Sequence, residues 1–154
     1  MDGLLSFQEA LLNQKIKPRP CLWNKNLHVL EDDAEGELRV THARIVGEEA
    51  QGYVVYCIAK PVDSVPCFAV AYAVAEGHRR QGLGTSLLIE SIEELGHELQ
   101  KVGITDYYLE AVVSVDNEPS NKMASKILSS TPVRTTDIIS GEPAFQYLKR
   151  FKTV

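Results

Sequence analysis

Arg79-Arg80-Gln81-Gly82-Leu83-Gly84 constrains this chain more than any other stretch, because it joins a run patterned as a strand to a run patterned as an amphipathic helix. Upstream, Cys67-Phe68-Ala69-Val70-Ala71-Tyr72-Ala73-Val74 is continuously apolar and of strand length, the pattern of a strand buried on both faces. Downstream, Leu83, Leu87, Leu88, Ile92, Leu95 and Leu99 recur every three or four residues, and Glu90, Glu93, Glu94, Glu98 and Lys101 fall largely between them. Gly103 supplies a stop for that helix.

The first turn of a helix carries backbone N–H groups without intrahelical partners, and the helix dipole adds partial positive charge there. Gly82 and Gly84 have no Cβ to hold a phosphate away, and Arg79 and Arg80 add charge and donors. The junction is therefore suited to a pyrophosphate. Two other phosphate loops do not fit. Thr85-Ser86 follows Gly84 without the lysine of a P-loop, and the third glycine of a dinucleotide fingerprint is replaced by Leu87.

With Arg79-x-x-Gly82-x-Gly84 in place, the chain resembles the GNAT superfamily of acetyl-CoA-dependent N-acetyltransferases, whose loop of this form lies between the fourth strand and the third helix. Tyr72-Ala73-Val74 matches the family's apolar triplet before the loop. Leu109-Glu110-Ala111-Val112-Val113 is similar to its fifth strand, and Asn117-x-x-Ser120 followed by Met123, Ala124, Ile127 and Leu128 to its fourth helix. The match is clear over about residues 66–130.

This resemblance implies an α/β (α+β) fold with a mixed, mostly antiparallel twisted sheet of about six to seven strands and helices on both faces. Residues 1–154 are expected to form a single GNAT-like domain, residues 1–20 being its helical N-terminal segment. Acetyl-CoA is the implied co-substrate, without a metal. Its contacts would be Tyr72, Ala73, Val74, Arg79, Arg80, Gln81, Gly82, Leu83, Gly84, Thr85, Asn117 and Ser120, and the Val74 N–H would face the thioester oxygen. Glu110, in the Leu109-Glu110 pair, is the candidate general base.

Glu110 has two readings from its own surroundings: a carboxylate placed for function in an apolar strand, or one facing solvent from a half-exposed strand. Asn117 and Ser120 similarly fit either a helix cap before Pro119 or cofactor contacts. Many members of the family carry a tyrosine seven residues after the asparagine as the general acid, and here that residue is Ala124. Tyr72, Tyr107, Tyr108 and Tyr147 are the substitutes on offer, and His78 is expected to be a loop residue. Lys122 and Lys126 are expected to be solvated. The implied function is transfer of an acetyl group to a primary amine by direct attack. The alternative is a catalytically weak acyl-CoA-binding or regulatory module.

A chain of 154 residues with 44% hydrophobic content can bury a proper core. Its formal charge of -5 argues against a nucleic-acid binder and is compatible with a small-molecule, peptide or protein amine as partner. Cys21, Cys57 and Cys67 show neither metal-ligand spacing nor an even count. No signal peptide or membrane-length apolar run is visible, so the expected compartment is cytoplasmic, with no membrane partner.

Along the chain, Leu4 to Gln14 patterns as a helix capped by Asp2 or Ser6 and broken by Pro18 and Pro20. Residues 21–31, with the single Trp23, fit a strand or a short helix. The acidic stretch Glu31 to Glu37 is expected as a loop, either solvated or attracting a cationic substrate. Strands are expected at Leu38 to Val46 and Tyr53 to Ala59, joined by Gly47 to Gly52, with a turn at Pro61 to Pro66. Two more follow at Val133 to Ile139 and Ala144 to Phe151. Phe145, Tyr147, Leu148 and Phe151 either complete the core or form a pairing edge, which leaves monomer or homodimer.

Overall fold

The computed structural model describes residues 3–153. Helix α1 spans Gly3–Leu12, and strands β1 to β5 follow at Arg19–Pro20, His28–Ala34, Glu37–Val46, Glu49–Val62 and Val65–Val74. A 3-10 turn at Glu76–His78 leads into α2, Leu83–Lys101; then come β6 at Asp106–Ser114, α3 at Glu118–Ile127, β7 at Val133–Thr136 and β8 at Pro143–Lys152. The eight strands among the described residues are ordered β1-β2-β3-β4-β5-β6-β8-β7 in one mixed sheet. No helix among the described residues is long and apolar enough to cross a membrane. Contacts divide the chain into a first unit, Met1–Ile58 with Ala71–Gly103, and a second, Ala59–Val70 with Ile104–Val154.

In the first unit, β2, β3 and β4 form an antiparallel meander with a helix on each face. Ala43 and Ala50 meet Leu4 and Phe7 of α1. On the other side, His42 of β3 and Tyr56 of β4 both reach Ser91 of α2. The alternation of side chains along a strand separates these two layers. Helix α1 ends two residues short of the expected Gln14, whose φ of 57° turns the chain. The N–H of Lys15 then closes on Ala10 O at 2.9 Å. Ser6 lies inside the helix and does not cap it, and Asp2 lies outside the described residues.

Several expected loops are strand. The acidic stretch from Glu31 to Ala34 belongs to β2, and only Glu35 and Gly36, at φ 54° and 88°, form the turn. Both residues take the left-handed conformation that a two-residue hairpin requires. Asp32 is held by Arg39 across the ladder at 2.6 Å, which is why an acidic residue stays in the sheet. Glu49 to Gly52 likewise pair with β3, because a bulge opposite Arg44 and Ile45 absorbs the extra residue. Residues 21–27 are irregular rather than helical and lie along α2, with Trp23 stacked on His97 at 5.0 Å.

Strand β5 is not buried on both faces, since Ala71 is exposed where it lines a cavity of about 360 Å³ with Phe7, Leu30, Thr41, Tyr53 and Val55. Along α2, Glu94 does not share the exposure of Glu93. It is 2% exposed, beside the apolar Leu87, Leu88, Leu95 and Leu99.

In the second unit, β6 pairs antiparallel with β8 over nine residues, and β8 with β7 over four. The parallel register of β5 and β6 covers Cys67–Ala69 against Tyr108–Glu110. Pro61 and Pro66 sit in strands, and the turn between them is only Asp63 and Ser64, at φ 49° and 67°. Strand β7 stops at Thr136, three residues before its expected end, because Asp137 folds the chain back by accepting the N–H of Ile139 at 2.8 Å. Tyr107 stacks on Phe151 at 5.6 Å and Tyr147 is buried, so these side chains complete the core of this unit.

Candidate functional site

The loop after β5 is shaped by its backbone. Ala75 N–H bonds Gln51 O at 2.9 Å, which ties the end of β5 to β4. His78 Nε2 is 2.9 Å from Glu49 Oε1, so this histidine secures the loop as expected of a loop residue. Arg79 Nε donates to Val74 O at 3.0 Å, using one of its five N–H groups to fold over the strand end.

Arg80 and Gly82 both have positive φ, 62° and 75°. For an arginine this conformation costs on the order of 1 kcal/mol. Gly82 is the N-cap of α2 and accepts the Ser86 N–H at 3.2 Å, but caps the helix with no side chain. A Cβ placed on Gly82 would meet no atom within 4 Å. The N–H groups of the first turn, from Leu83 through Thr85, lack intrahelical acceptors and follow directly on exposed Arg79, Arg80 and Gln81. A bound anion would gain those donors and the positive end of a 19-residue helix dipole. Gly52 lets this corner close: a Cβ there would lie 2.9 Å from Leu87 Cδ2 and 3.1 Å from Ala73 O.

The second unit carries the candidate base. Glu110 is half-buried on β6, on the strand face it shares with Tyr108 and Val112, and Gln146 Nε2 donates to its Oε2 at 2.6 Å. Asn117 is the cap of α3, accepting the Ser120 N–H at 3.2 Å, so the capping reading holds for Asn117 and not for Ser120. Asn121 was not singled out by the sequence, yet it accepts from the Tyr147 hydroxyl at 2.7 Å and donates to Ser114 O and Asn117 O at 2.9 Å each. Ala124 is fully buried.

The substitute tyrosines are placed unevenly. Tyr107 and Tyr147 are buried, and burial raises both phenols. Tyr108 lies under the Arg150 guanidinium at 5.7 Å, and Tyr72 is half-buried on β5.

The model of the Acetyltransferase (GNAT) family matches residues 6–128. The chain belongs to the GNAT acetyltransferase family. No curated protein matches it. Among solved structures it resembles a GNAT acetyltransferase from Streptococcus pneumoniae, at 18% identity and a TM-score of 0.54 over 73% of this chain and 66% of that one. It also resembles the ribosomal-protein-S5-alanine acetyltransferase of Vibrio fischeri, at 13% identity and a TM-score of 0.54 over 73% and 61%. A third is an acetyl transferase from Salmonella typhimurium, at 16% identity and a TM-score of 0.51 over 75% and 64%. The chain spans about two thirds of the length of these structures. At such identities the likeness establishes the GNAT fold.

Within that fold, the GNAT loop of this chain brings Val74, Arg79, Arg80, Gly82 and Gly84 into one segment of the first unit. Glu110, Asn117 and Ser120 belong to the second. The tie between Gln146 and Glu110 escaped the sequence because it depends on the β6–β8 register, which sets Gln146 opposite Val112, one step along from Glu110 on the same face.

Proposed function

We propose that this chain is an acetyl-CoA-dependent N-acetyltransferase that passes an acetyl group directly to a primary amine. The observation that carries the reading is the start of α2, where left-handed Arg80 and Gly82 lead into the first helical turn and the space over Gly82 is open. The residues present fit a coenzyme A pyrophosphate: backbone donors from Leu83, Gly84 and Thr85, a glycine surface at Gly82, and the side chains of Arg79, Arg80 and Gln81.

Tyr72, Ala73 and Val74, the last residues of β5, would pair through their backbone with the pantetheine amides, the Val74 N–H polarising the thioester carbonyl. Glu110 would take the proton of the attacking amine, directly or through a water, with Gln146 orienting its carboxylate. Asn117 would add its side-chain N–H₂ to the pantetheine arm while its oxygen caps α3. Ser120 would be a weaker contact. The single polypeptide would act as one GNAT domain.

The proposed acceptor is a peptide or protein amine. The Salmonella protein is described as modifying the N-terminal serine of ribosomal protein L7/L12, and the Vibrio protein by its name acts on ribosomal protein S5.

Acetyl-CoA should raise the melting temperature of the purified chain, and a panel of peptide amines should release free thiol. Failure of both sinks the reading. Glu110→Gln should lower kcat by about 10²- to 10⁴-fold with cofactor binding intact. Unchanged kcat removes Glu110 from the chemistry.

A second reading rests on Ala124, fully buried where many GNAT members carry a tyrosine. With no hydroxyl from that position, the chain would bind acyl-CoA and turn over weakly. Tight binding with no acetylated acceptor would favour it.

A further inference from the structure

Cys21, His42 and Glu98 come from three separate parts of the first unit: the segment after β1, the middle of β3 and the last turns of α2. Their sulfur, ring nitrogen and carboxylate oxygen all lie within 4.8 Å of one another. Cys21 is 1% exposed and His42 0%. Thiolate, imidazole and carboxylate are the donor types of zinc sites, whose tetrahedral geometry spaces donors at about 3.3–3.8 Å. Closing this cluster around an ion needs a contraction of roughly 1 Å.

A second observation points the same way. Glu94, one turn before Glu98, is 2% exposed. Its Oε1 accepts the Asn24 N–H at 2.7 Å, and its buried Oε2 has no partner among the described residues. The Glu94 and Glu98 carboxylates thus stand on one stretch of α2, Glu98 beside Cys21 and His42, and a divalent ion would offset their charge.

The outer contacts suit a ligand histidine. His42 Nδ1 is 2.7 Å from Ser91 Oγ, which is 2.8 Å from Tyr56 Oη, so Nδ1–H can donate to Ser91 and leave the Nε2 lone pair available. Nε2 and Glu98 Oε2, now 3.0 Å apart, would share the ion in place of a proton.

We propose that Cys21, His42 and Glu98 bind one divalent transition-metal ion, with zinc the best match to the donors. Binding forms bonds from the ion to Cys21 Sγ, His42 Nε2 and a Glu98 oxygen; the thiol proton leaves to solvent, and the proton between Nε2 and Glu98 moves to Nδ1, which donates it to Ser91. The ion is structural: it fastens the segment after β1 to β3 and α2, and takes no part in acetyl transfer.

The test uses the whole chain, stripped with a chelator and titrated with Co²⁺, then Zn²⁺. One equivalent of Co²⁺ should produce a thiolate-to-cobalt charge-transfer band that Zn²⁺ bleaches, and native mass spectrometry should show one ion per chain. Cys21→Ser should abolish the band, and Cys57→Ser and Cys67→Ser should keep it. Glu98→Gln, at a side chain 24% exposed and with folding confirmed by a thermal melt, should weaken binding at least about tenfold. Absence of the band at stoichiometric Co²⁺, its survival in Cys21→Ser, or unaltered affinity in Glu98→Gln would each overturn the proposal.

Discussion

Arg79, Arg80 and Gln81 stand in water at the start of α2, whereas about two to four turns further along the same helix Ser91, Glu94 and Glu98 pack against β3 and β4. Both regions are polar, and they are stabilised in opposite ways. In the loop, water solvates the side chains and the backbone carries the strain, with positive φ at Arg80 and Gly82. In the cluster the backbone is regular, and the side chains replace water for one another through Tyr56, Ser91, His42 and Glu98. Damage to the loop should therefore fall on binding, and damage to the cluster on stability.

Four substitutions probe that contrast. Gly82→Trp, the largest in effect, should weaken acetyl-CoA binding by about 1.5–3 kcal/mol, roughly 10- to 150-fold, while a side chain at a φ of 75° costs only on the order of 1 kcal/mol of stability. Calorimetric titration beside a thermal melt reads both, and an equal fall in the two would erase the distinction. Ser91→Ala should do the reverse, costing about 1–3 kcal/mol in urea unfolding by removing the partner Tyr56 and His42 share. Its acetyl-CoA affinity should match that of the parent chain.

Arg80→Gly should sharpen the same point within the loop. Relief of the left-handed arginine should raise stability by up to about 1 kcal/mol, while binding weakens through the lost charge. The binding difference should shrink as salt is added.

The smallest effect is expected outside both regions, at the exposed pair of Asp106 with Arg150. The hydrogen bond from Arg150 holds the Asp106 carboxyl below its ordinary value of 3.8. A depressed folded pKa contributes stability that is present above that value and is lost as pH falls through the lower one. The parent chain should accordingly lose its small advantage over Asp106→Asn only in that acid window. Unfolding midpoints measured down the acid range check this.

The contrast also explains what was legible in the sequence. The loop is local: six consecutive residues between a strand pattern and a helix pattern carry it, and the structure reproduces strand, turn and helix at Val74, Glu76–His78 and Leu83. The order of the main elements was readable for the same reason, being set by short-range periodicity. The cluster joins positions 21, 42, 56, 91 and 98, whose proximity depends on strand register and helix rotation. Glu94 looks solvated on a helical pattern that already has enough leucines to define its inner face, and the Asn24 N–H that it accepts comes from a segment 70 residues away in the chain. Turns were over-read at Gly47–Gly52 and Pro61–Pro66, because polar or proline residues mark chain reversal without showing how few of them a tight hairpin uses.

The burial of sulfur bears on how turnover can be measured. Cys21 and Cys67 are raised to about 12 and about 11, and Cys57 is raised as well, chiefly by desolvation. The thiolate is the nucleophile that attacks a thiol dye, and a group near 11 is ionised in roughly one molecule in ten thousand at neutral pH. Coenzyme A released in solution should be counted against little background from Cys21 and Cys67 of the metal-free protein, which favours a colorimetric assay at high enzyme concentration.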